Sequence, residues 1–236
     1  MKGYVRTITD LPLMVVNTHA HLDHIGGDFQ FDEVYITKTD EKYLEENSSK
    51  ELRYQFEIIS LDGSDTEFPY KLEDFTETRE IKWKYLESQQ IIDLGGRSLT
   101  CISIPGHTKG SAAFLDSRTG ILFSGDCGNS RTFVFMDEST SVSEYRASLV
   151  KFKRDYGDKV KKWYQFHGKT EVPVSIIDEL IECSDRIIGH REQGADFCFN
   201  LGKFAKIKAK SAMKIEANGS RVDGKTGNIM FDPSRR

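Results

Sequence analysis

The segment Thr18-His19-Ala20-His21-Leu22-Asp23-His24-Ile25-Gly26-Gly27 gathers three of the six histidines of this 236-residue chain, and one aspartate, within six positions. Imidazole nitrogens and carboxylate oxygens at that density are a ligand set suited to zinc, iron or manganese. In an extended segment His19 and His21 point to the same side, because side chains alternate with period two, so both can serve one ion. Asp23 and His24 fall where the chain must turn, ahead of Gly26-Gly27, and can aim at a neighbouring position. A lone histidine here would read as part of a polar loop. Four ligand-type residues in six do not.

Three later strand-like runs each end in one more residue of this kind. His107 sits in Pro105-Gly106-His107-Thr108-Lys109-Gly110-Ser111, Asp126 in Ser124-Gly125-Asp126, and His167 before Gly168. Taken singly they read equally well as a turn histidine, a helix cap and a satisfied interior histidine. Taken with the first cluster they make five histidines and two carboxylates, each beside a glycine-containing turn where the backbone can bend tightly. Only His190 stands apart, and it reads as structural.

The elements that must position these groups follow from periodicity. Leu13-Met14-Val15-Val16 predicts a buried strand leading into the histidine cluster, and residues 31–37 predict a short strand with Val34 and Ile36 inward. Residues 1–12 read as a helix end or irregular lead-in, and residues 40–47 as a helix with early acids. Residues 48–88 are charged, carry Phe68-Pro69, and read as a partly helical insertion or long loops. Ile91-Ile92-Asp93-Leu94 and residues 99–104 predict two strands, and residues 112–123 a hairpin around the turn 116–120. Ser141 with Glu144 is a capping box opening a helix whose Val142, Tyr145, Leu149, Phe152 and Tyr156 share a face, stopped by Gly157. Residues 160–166 predict a strand. Pro173 and Ser175 open a second helix with Ile176, Leu180, Cys183 and Ile187 on one face and Gly189 as its stop. Beyond residue 200, Asn218-Gly219 and Asp223-Gly224 predict turns around short strands, ending in a disordered Arg235-Arg236.

Composition narrows the function classes. A net charge of −4 and no basic stripe argue against nucleic acid as partner; the basic run 203–210 reads as a solvated face. No stretch approaches the ~18 apolar residues of a membrane span, and the N-terminus lacks the pattern of a signal peptide. Cys101, Cys127, Cys183 and Cys198 are scattered without a Cys-x-x-Cys pair, which reads as reduced thiols in a cytoplasmic protein. A homo-oligomer is compatible with all of this.

His-x-His-x-Asp-His, Pro-Gly-His-Thr-x-Gly-Ser, Ser-Gly-Asp and His-Gly, in this order between residues 18 and 168, together resemble the metallo-β-lactamase-fold hydrolase superfamily, in particular its hydroxyacylglutathione-hydrolase-like branch. The resemblance implies an α/β (α+β) fold, an αβ/βα sandwich of two packed mixed sheets with outer helices. It also implies a cofactor of two divalent metal ions, zinc first, with iron or manganese also fitting. His19, His21 and His107 would hold the first ion, Asp23, His24 and His167 the second, and Asp126 would bridge them. Asp23 and Asp126 would be the catalytic carboxylates beside a metal-bridging hydroxide. That hydroxide would attack a small-molecule ester, thioester or related acyl substrate.

Departures from family patterns sharpen the expectation. Asp126 stands where many zinc β-lactamases carry cysteine, and His21 where the family's diiron flavoproteins carry glutamate, so neither activity is expected. Cys127, one residue beyond, is expected to pack rather than ligate. Phe133 and Phe135 in the stretch 131–136 are candidates for a substrate wall, and Lys169 for meeting a substrate carboxylate. Relatives place two or three strands before the His-x-His motif and this chain has eighteen residues there. The expectation is therefore one metallo-β-lactamase-like domain over 1–236, incomplete at its N-terminus. The competing readings are a lactonase or phosphodiesterase on the same ions, and a non-catalytic relative or impaired fragment.

Overall fold

The computed structural model of the chain describes residues 1–60, 69–77, 80–200 and 206–236. These residues form two compact units, one over Met1–Leu86 and one over Glu87–Asn200 with Lys206–Arg236.

The first unit begins with a short helix α1 (Lys2–Arg6), followed by β1 (Val15–Val16), α2 (Leu22–Ile25), β2 (Glu33–Thr37), α3 (Leu44–Asn47), α4 (Lys50–Ser60) and β3 (Lys82–Leu86). Its sheet has the order β1-β2-β3, and both pairings are parallel. Val34 and Ile36 are fully buried, as the alternation predicts, and Ile36 packs with Ala20, Ile25 and Leu44. Two expectations fail here. The strand before the histidine cluster is only two residues long and half-buried, because it lies at the sheet edge with one neighbour. Residues 48–88 contain, besides α4, the strand β3, which pairs with β2 over five residues. Its sequence Lys-Trp-Lys-Tyr-Leu alternates charge with aromatics rather than with aliphatic residues, and Lys84 reaches Glu33 on β2 at 2.7 Å. Residues 61–68 of that stretch, with Phe68 of the Phe68-Pro69 pair, lie outside the described residues.

The second unit runs β4 (Ile91–Asp93), β5 (Ser98–Ser103), β6 (Ala112–Asp116), β7 (Ile121–Gly125), β8 (Thr132–Val134), α5 (Val142–Tyr156), β9 (Lys162–Gln165), β10 (Glu171–Val172), α6 (Ile176–Ile188), β11 (Asp196–Asn200), β12 (Lys206–Ser211) and β13 (Ile229–Phe231). A six-stranded mixed sheet has the order β10-β9-β7-β6-β5-β4, and a four-stranded sheet the order β11-β12-β13-β8. Only β7 and β9 are parallel in the larger sheet. A parallel pair needs a crossover, which α5 supplies. Both helices form as expected. Ser141 and Glu144 close their capping box, and Gly157 and Gly189 stand at the C-caps. The predicted faces of α5 and α6 pack with Leu115, Leu122 and Trp163 of the six-stranded sheet and Ile229 and Phe231 of the smaller one.

Two further differences emerge, and one reading gains detail. Thr132–Val134 is a strand, too short to show a period, and it pairs in parallel with β13. The basic run 203–210 contributes β12 from Lys206 onward, with Lys208 exposed and Ala209 buried; its first three residues lie outside the described residues. The C-terminus is held rather than disordered. Arg235 donates to the Met136 and Ser139 carbonyls, and Arg236 to the Ile187 carbonyl and Glu192 at 2.8 Å each.

The β6–β7 hairpin carries a buried carboxylate. Burial alone would raise Asp116, but hydrogen bonds from Thr119, the Arg118 N–H and Arg97 outweigh it and bring the group down to about 2. A carboxyl depressed in the folded state stabilises above its unfolded pKa of 3.8 and loses that contribution as pH falls toward 2. Asp116→Asn is expected to cost about 2 kcal/mol at neutral pH, the scale of hydrogen bonds to a charged group. In urea unfolding at pH 7 and pH 2.5 the difference from the parent should be present at the first and largely gone at the second.

Candidate metal centre

In the second unit the topology alone puts three ligand-type residues on one sheet edge. β6 returns antiparallel to β5, β7 antiparallel to β6, and β9 runs parallel to β7. The ends of β5, β7 and β9 therefore share an edge, and His107, Asp126 and His167 follow those ends. Gly125 immediately before Asp126 has φ +51°, a left-handed backbone that glycine adopts without cost. It coincides with a register shift in the β7–β9 ladder between Phe123 and Gly125, which turns the chain so that Asp126 leaves the strand direction.

Asp126 Oδ2 lies 3.4 Å from His107 Nε2 and 3.1 Å from His167 Nε2. His107 and Asp126 are buried, while His167 is half-exposed. His107 Nδ1 donates to the Phe133 carbonyl at 2.8 Å, which fixes the tautomer and presents Nε2 to the carboxylate. A ring held by a backbone carbonyl on one nitrogen and offering the other is how ligating histidines are commonly set. The loop around it is fixed in turn. Ser139 Oγ donates to the His107 carbonyl at 2.7 Å, and Thr108 and Ser111 hydroxyls pair at 2.8 Å.

Beneath both loops stands Tyr145 of α5, fully buried. Its hydroxyl donates to the Cys127 carbonyl at 2.6 Å, next to Asp126. Its ring lies so close to Gly106 that a Cβ there would come within 2.1 Å of it. One turn on, Ser148 Oγ donates to the Pro105 carbonyl at 2.5 Å. Cys127 packs in the core with 1% exposure, as expected.

In the first unit the four residues of the opening motif also converge. The His19 ring lies 4.6 Å from that of His21 and 4.0 Å from that of His24, centre to centre, and His24 Nε2 is 3.6 Å from Asp23 Oδ2. His21 is extended and opens α2, which carries Asp23 and His24. Thr18 Oγ1 meets His19 Nδ1 at 3.0 Å. The backbone between the histidines is clamped, because the Ala20 N–H donates to buried Asp40 at 3.1 Å and Asn47 donates to the Ala20 carbonyl at 2.7 Å. Below the motif Asn17 donates to Asp28, and burial pushes that carboxyl up to about 7 against the pull of the amide.

Both donor sets are of the kind that could hold divalent ions. His107 and His167 Nε2 lie 3.4 and 3.1 Å from Asp126, and His24 Nε2 lies 3.6 Å from Asp23 beside the His19 ring, and hydrogen bonds from the ring or backbone behind them hold both sets. The seven candidates are those named from the sequence. Sequence reasoning missed Thr18, Asp40, Asn47, Ser139, Tyr145 and the Phe133 carbonyl as groups that hold them. Phe133 and Phe135 stack at 4.9 Å in a cluster with Ala209 and Met230, Phe135 being 3% exposed. Lys169 is exposed, and its carbonyl accepts from Gln165 at 2.7 Å. Among the described residues no helix is long and apolar enough to cross a membrane.

Known proteins are similar to this chain in sequence and in fold. The human protein named acyl-coenzyme A thioesterase MBLAC2 is 31% identical over 140 residues, covering 57% of this chain and 48% of its own length. Hydroxyacylglutathione hydrolase GloC of Haemophilus influenzae is 28% identical over 157 residues, covering 62% of this chain and 66% of its own. The chain thus spans about half the length of the first and about two thirds of the second. Among solved structures, a metallo-beta-lactamase family protein from Thermus thermophilus superposes with a TM-score of 0.52 at 18% identity, over 75% of this chain and 62% of that one. The sequence model of the metallo-beta-lactamase superfamily matches residues 12–160, a span that holds six of the seven ligand-type residues and the six-stranded sheet from β4 to β7. By that match, and by the α/β fold that carries it, this chain belongs to the metallo-beta-lactamase superfamily.

Proposed function

We propose that the chain is a dinuclear metal-dependent hydrolase of thioesters or related acyl esters. The observation that carries this reading is the Asp126 carboxylate set between the Nε2 atoms of His107 and His167. A carboxylate facing two imidazoles is suited to sharing its oxygens between two ions. In this reading His19, His21 and His107 would hold one ion, Asp23, His24 and His167 the other, and Asp126 would serve both. The ions, zinc in the first instance, supply Lewis acidity and make water acidic enough to be a nucleophile at neutral pH.

The chain's own residues do the rest. His107, its Nδ1 tied to the Phe133 carbonyl, is fixed in orientation and presents Nε2. Asp126 and Asp23 orient the attacking water, and a carboxylate oxygen of one of them takes its proton. The ordered pair Phe133 and Phe135 backs the carbonyl that holds His107. Lys169, exposed two residues beyond His167, is placed to meet an anionic part of the substrate. The names of the human and Haemophilus relatives both describe release of an acyl group by hydrolysis, which favours acyl over phosphoryl substrates.

The test is elemental analysis of purified protein together with turnover of a simple thioester. About two ions per chain are expected, with His107→Ala lowering both metal content and turnover in protein that keeps its circular dichroism spectrum. Folded protein with little metal and no turnover would overturn the reading. Turnover of a phosphodiester or lactone in preference to thioesters would move the activity to the competing hydrolase.

A further inference from the structure

The first unit contains a cavity of about 680 Å³ that the reaction as described does not use. That volume lies within the range of small-molecule sites. Its lining is mainly apolar, with Leu13 just before the edge strand, Val16 on it, Phe29 after α2, Phe56 from α4, and Phe75. Its rim includes Asp23 and His24, two of the residues assigned to the metal centre. Of the polar groups along it, Asn17, Asp28, Arg53 and Gln30 are engaged with the protein itself, and Glu57 of α4 is exposed to solvent. Asn17 donates to Asp28, Arg53 donates to the Thr76 carbonyl at 2.6 Å and lies over the Phe29 ring at 4.6 Å, and Gln30 accepts from the Met1 amino group at 2.9 Å. An occupant therefore needs no hydrogen-bonding atoms along its length, and one end of it lies beside the candidate reacting centre.

We infer that this cavity receives the hydrocarbon tail of an acyl thioester, so that the substrates are medium- to long-chain acyl groups whose carbonyl stops at Asp23 and His24. The inference rests on the hydrolase reading above for the identity of the reacting bond, and adds to it the class of acyl group. A saturated chain suits the walls better than a peptide or sugar, each of which would bring donors and acceptors against a mainly apolar lining. Burying each methylene against such walls gains about fourfold in affinity or specificity until the space is full.

The experiment has two arms. In the first, thioesters of N-acetylcysteamine with acetyl, butyryl, hexanoyl, octanoyl and decanoyl groups are hydrolysed by the metal-loaded protein. In the second, the free fatty acids of the same lengths are titrated into the metal-stripped protein by calorimetry. kcat/KM should rise about fourfold per methylene and then level, and fatty-acid affinity should rise in parallel. Met14→Trp, which places a large ring on the cavity lining, should lower the ratio of decanoyl to acetyl turnover about tenfold and weaken decanoate binding. Acetyl turnover with a flat length profile and no decanoate binding would overturn the acyl cavity while leaving the hydrolase reading intact. Length-dependent binding that Met14→Trp weakens, without turnover of any thioester, would support the cavity and overturn the hydrolase. Absence of both turnover and binding in folded protein would overturn both.

Discussion

Asp126→Asn is expected to lower thioester turnover by about 10³-fold, the scale of losing a positioned acid–base group, and to lower the metal content of the purified protein. Asparagine keeps the size and shape of the side chain, so the buried position at the end of β7 remains filled. What changes is the charge and one ligand atom. The carboxylate oxygen now 3.4 Å from His107 and 3.1 Å from His167 becomes either an amide oxygen without the charge or an NH₂ group that cannot ligate. Elemental analysis, kcat with saturating zinc, and a thermal melt separate the effects. In metal-free protein the melting temperature should stay within a few degrees of the parent, while metal content and turnover fall. Turnover within tenfold of the parent would remove Asp126 from the chemistry.

Gly106→Ala is expected to have the second largest effect, through packing rather than through charge. The added methyl would sit 2.1 Å from a ring carbon of Tyr145, and Tyr145 is fully buried between α5 and the sheet. Overpacking of this kind costs about 3 kcal/mol when neither side can retreat. Here the loop is pinned by Ser148 on the Pro105 carbonyl and by Ser139 on the His107 carbonyl. Metal content should fall together with stability, since the displaced loop carries His107. A double-mutant cycle with Tyr145→Leu checks the cause, because removing the ring should recover much of the loss, with a coupling of about 1–3 kcal/mol. Additive losses would place the damage elsewhere.

The parts of the fold that could be read in advance share one property: their signal is local. The β6–β7 hairpin, the Ser141–Glu144 box and the stripes of α5 and α6 each declare themselves within a few residues. β3 and β8 do not. Lys-Trp-Lys-Tyr-Leu becomes a strand because β2 offers five residues of parallel pairing, and Thr132–Val134 because β13 lies beside it; neither partner is near in sequence. The Arg235-Arg236 end looked unconstrained for the same reason, since its carbonyl acceptors lie 49 to 99 residues away. At the candidate site the ligand-type residues were legible because histidine and aspartate are rare in such density. The groups that aim them were not. Phe133 contributes a main-chain oxygen that any residue would carry, and Tyr145 looked like one more apolar step on a helix.

Tyr145 links two pieces of the candidate metal centre to one helix, and this makes amide exchange a reporter of loading. The loop bearing His107 leans on its ring and the turn bearing Asp126 accepts its hydroxyl. Any opening of α5 that withdraws the ring must loosen both, so the free energy of holding an ion at either loop is also free energy opposing that opening. Deuterium uptake by amides around Tyr145 should therefore slow when zinc is added. A chain that loads metal would show it in the middle of a helix, at positions no ion touches.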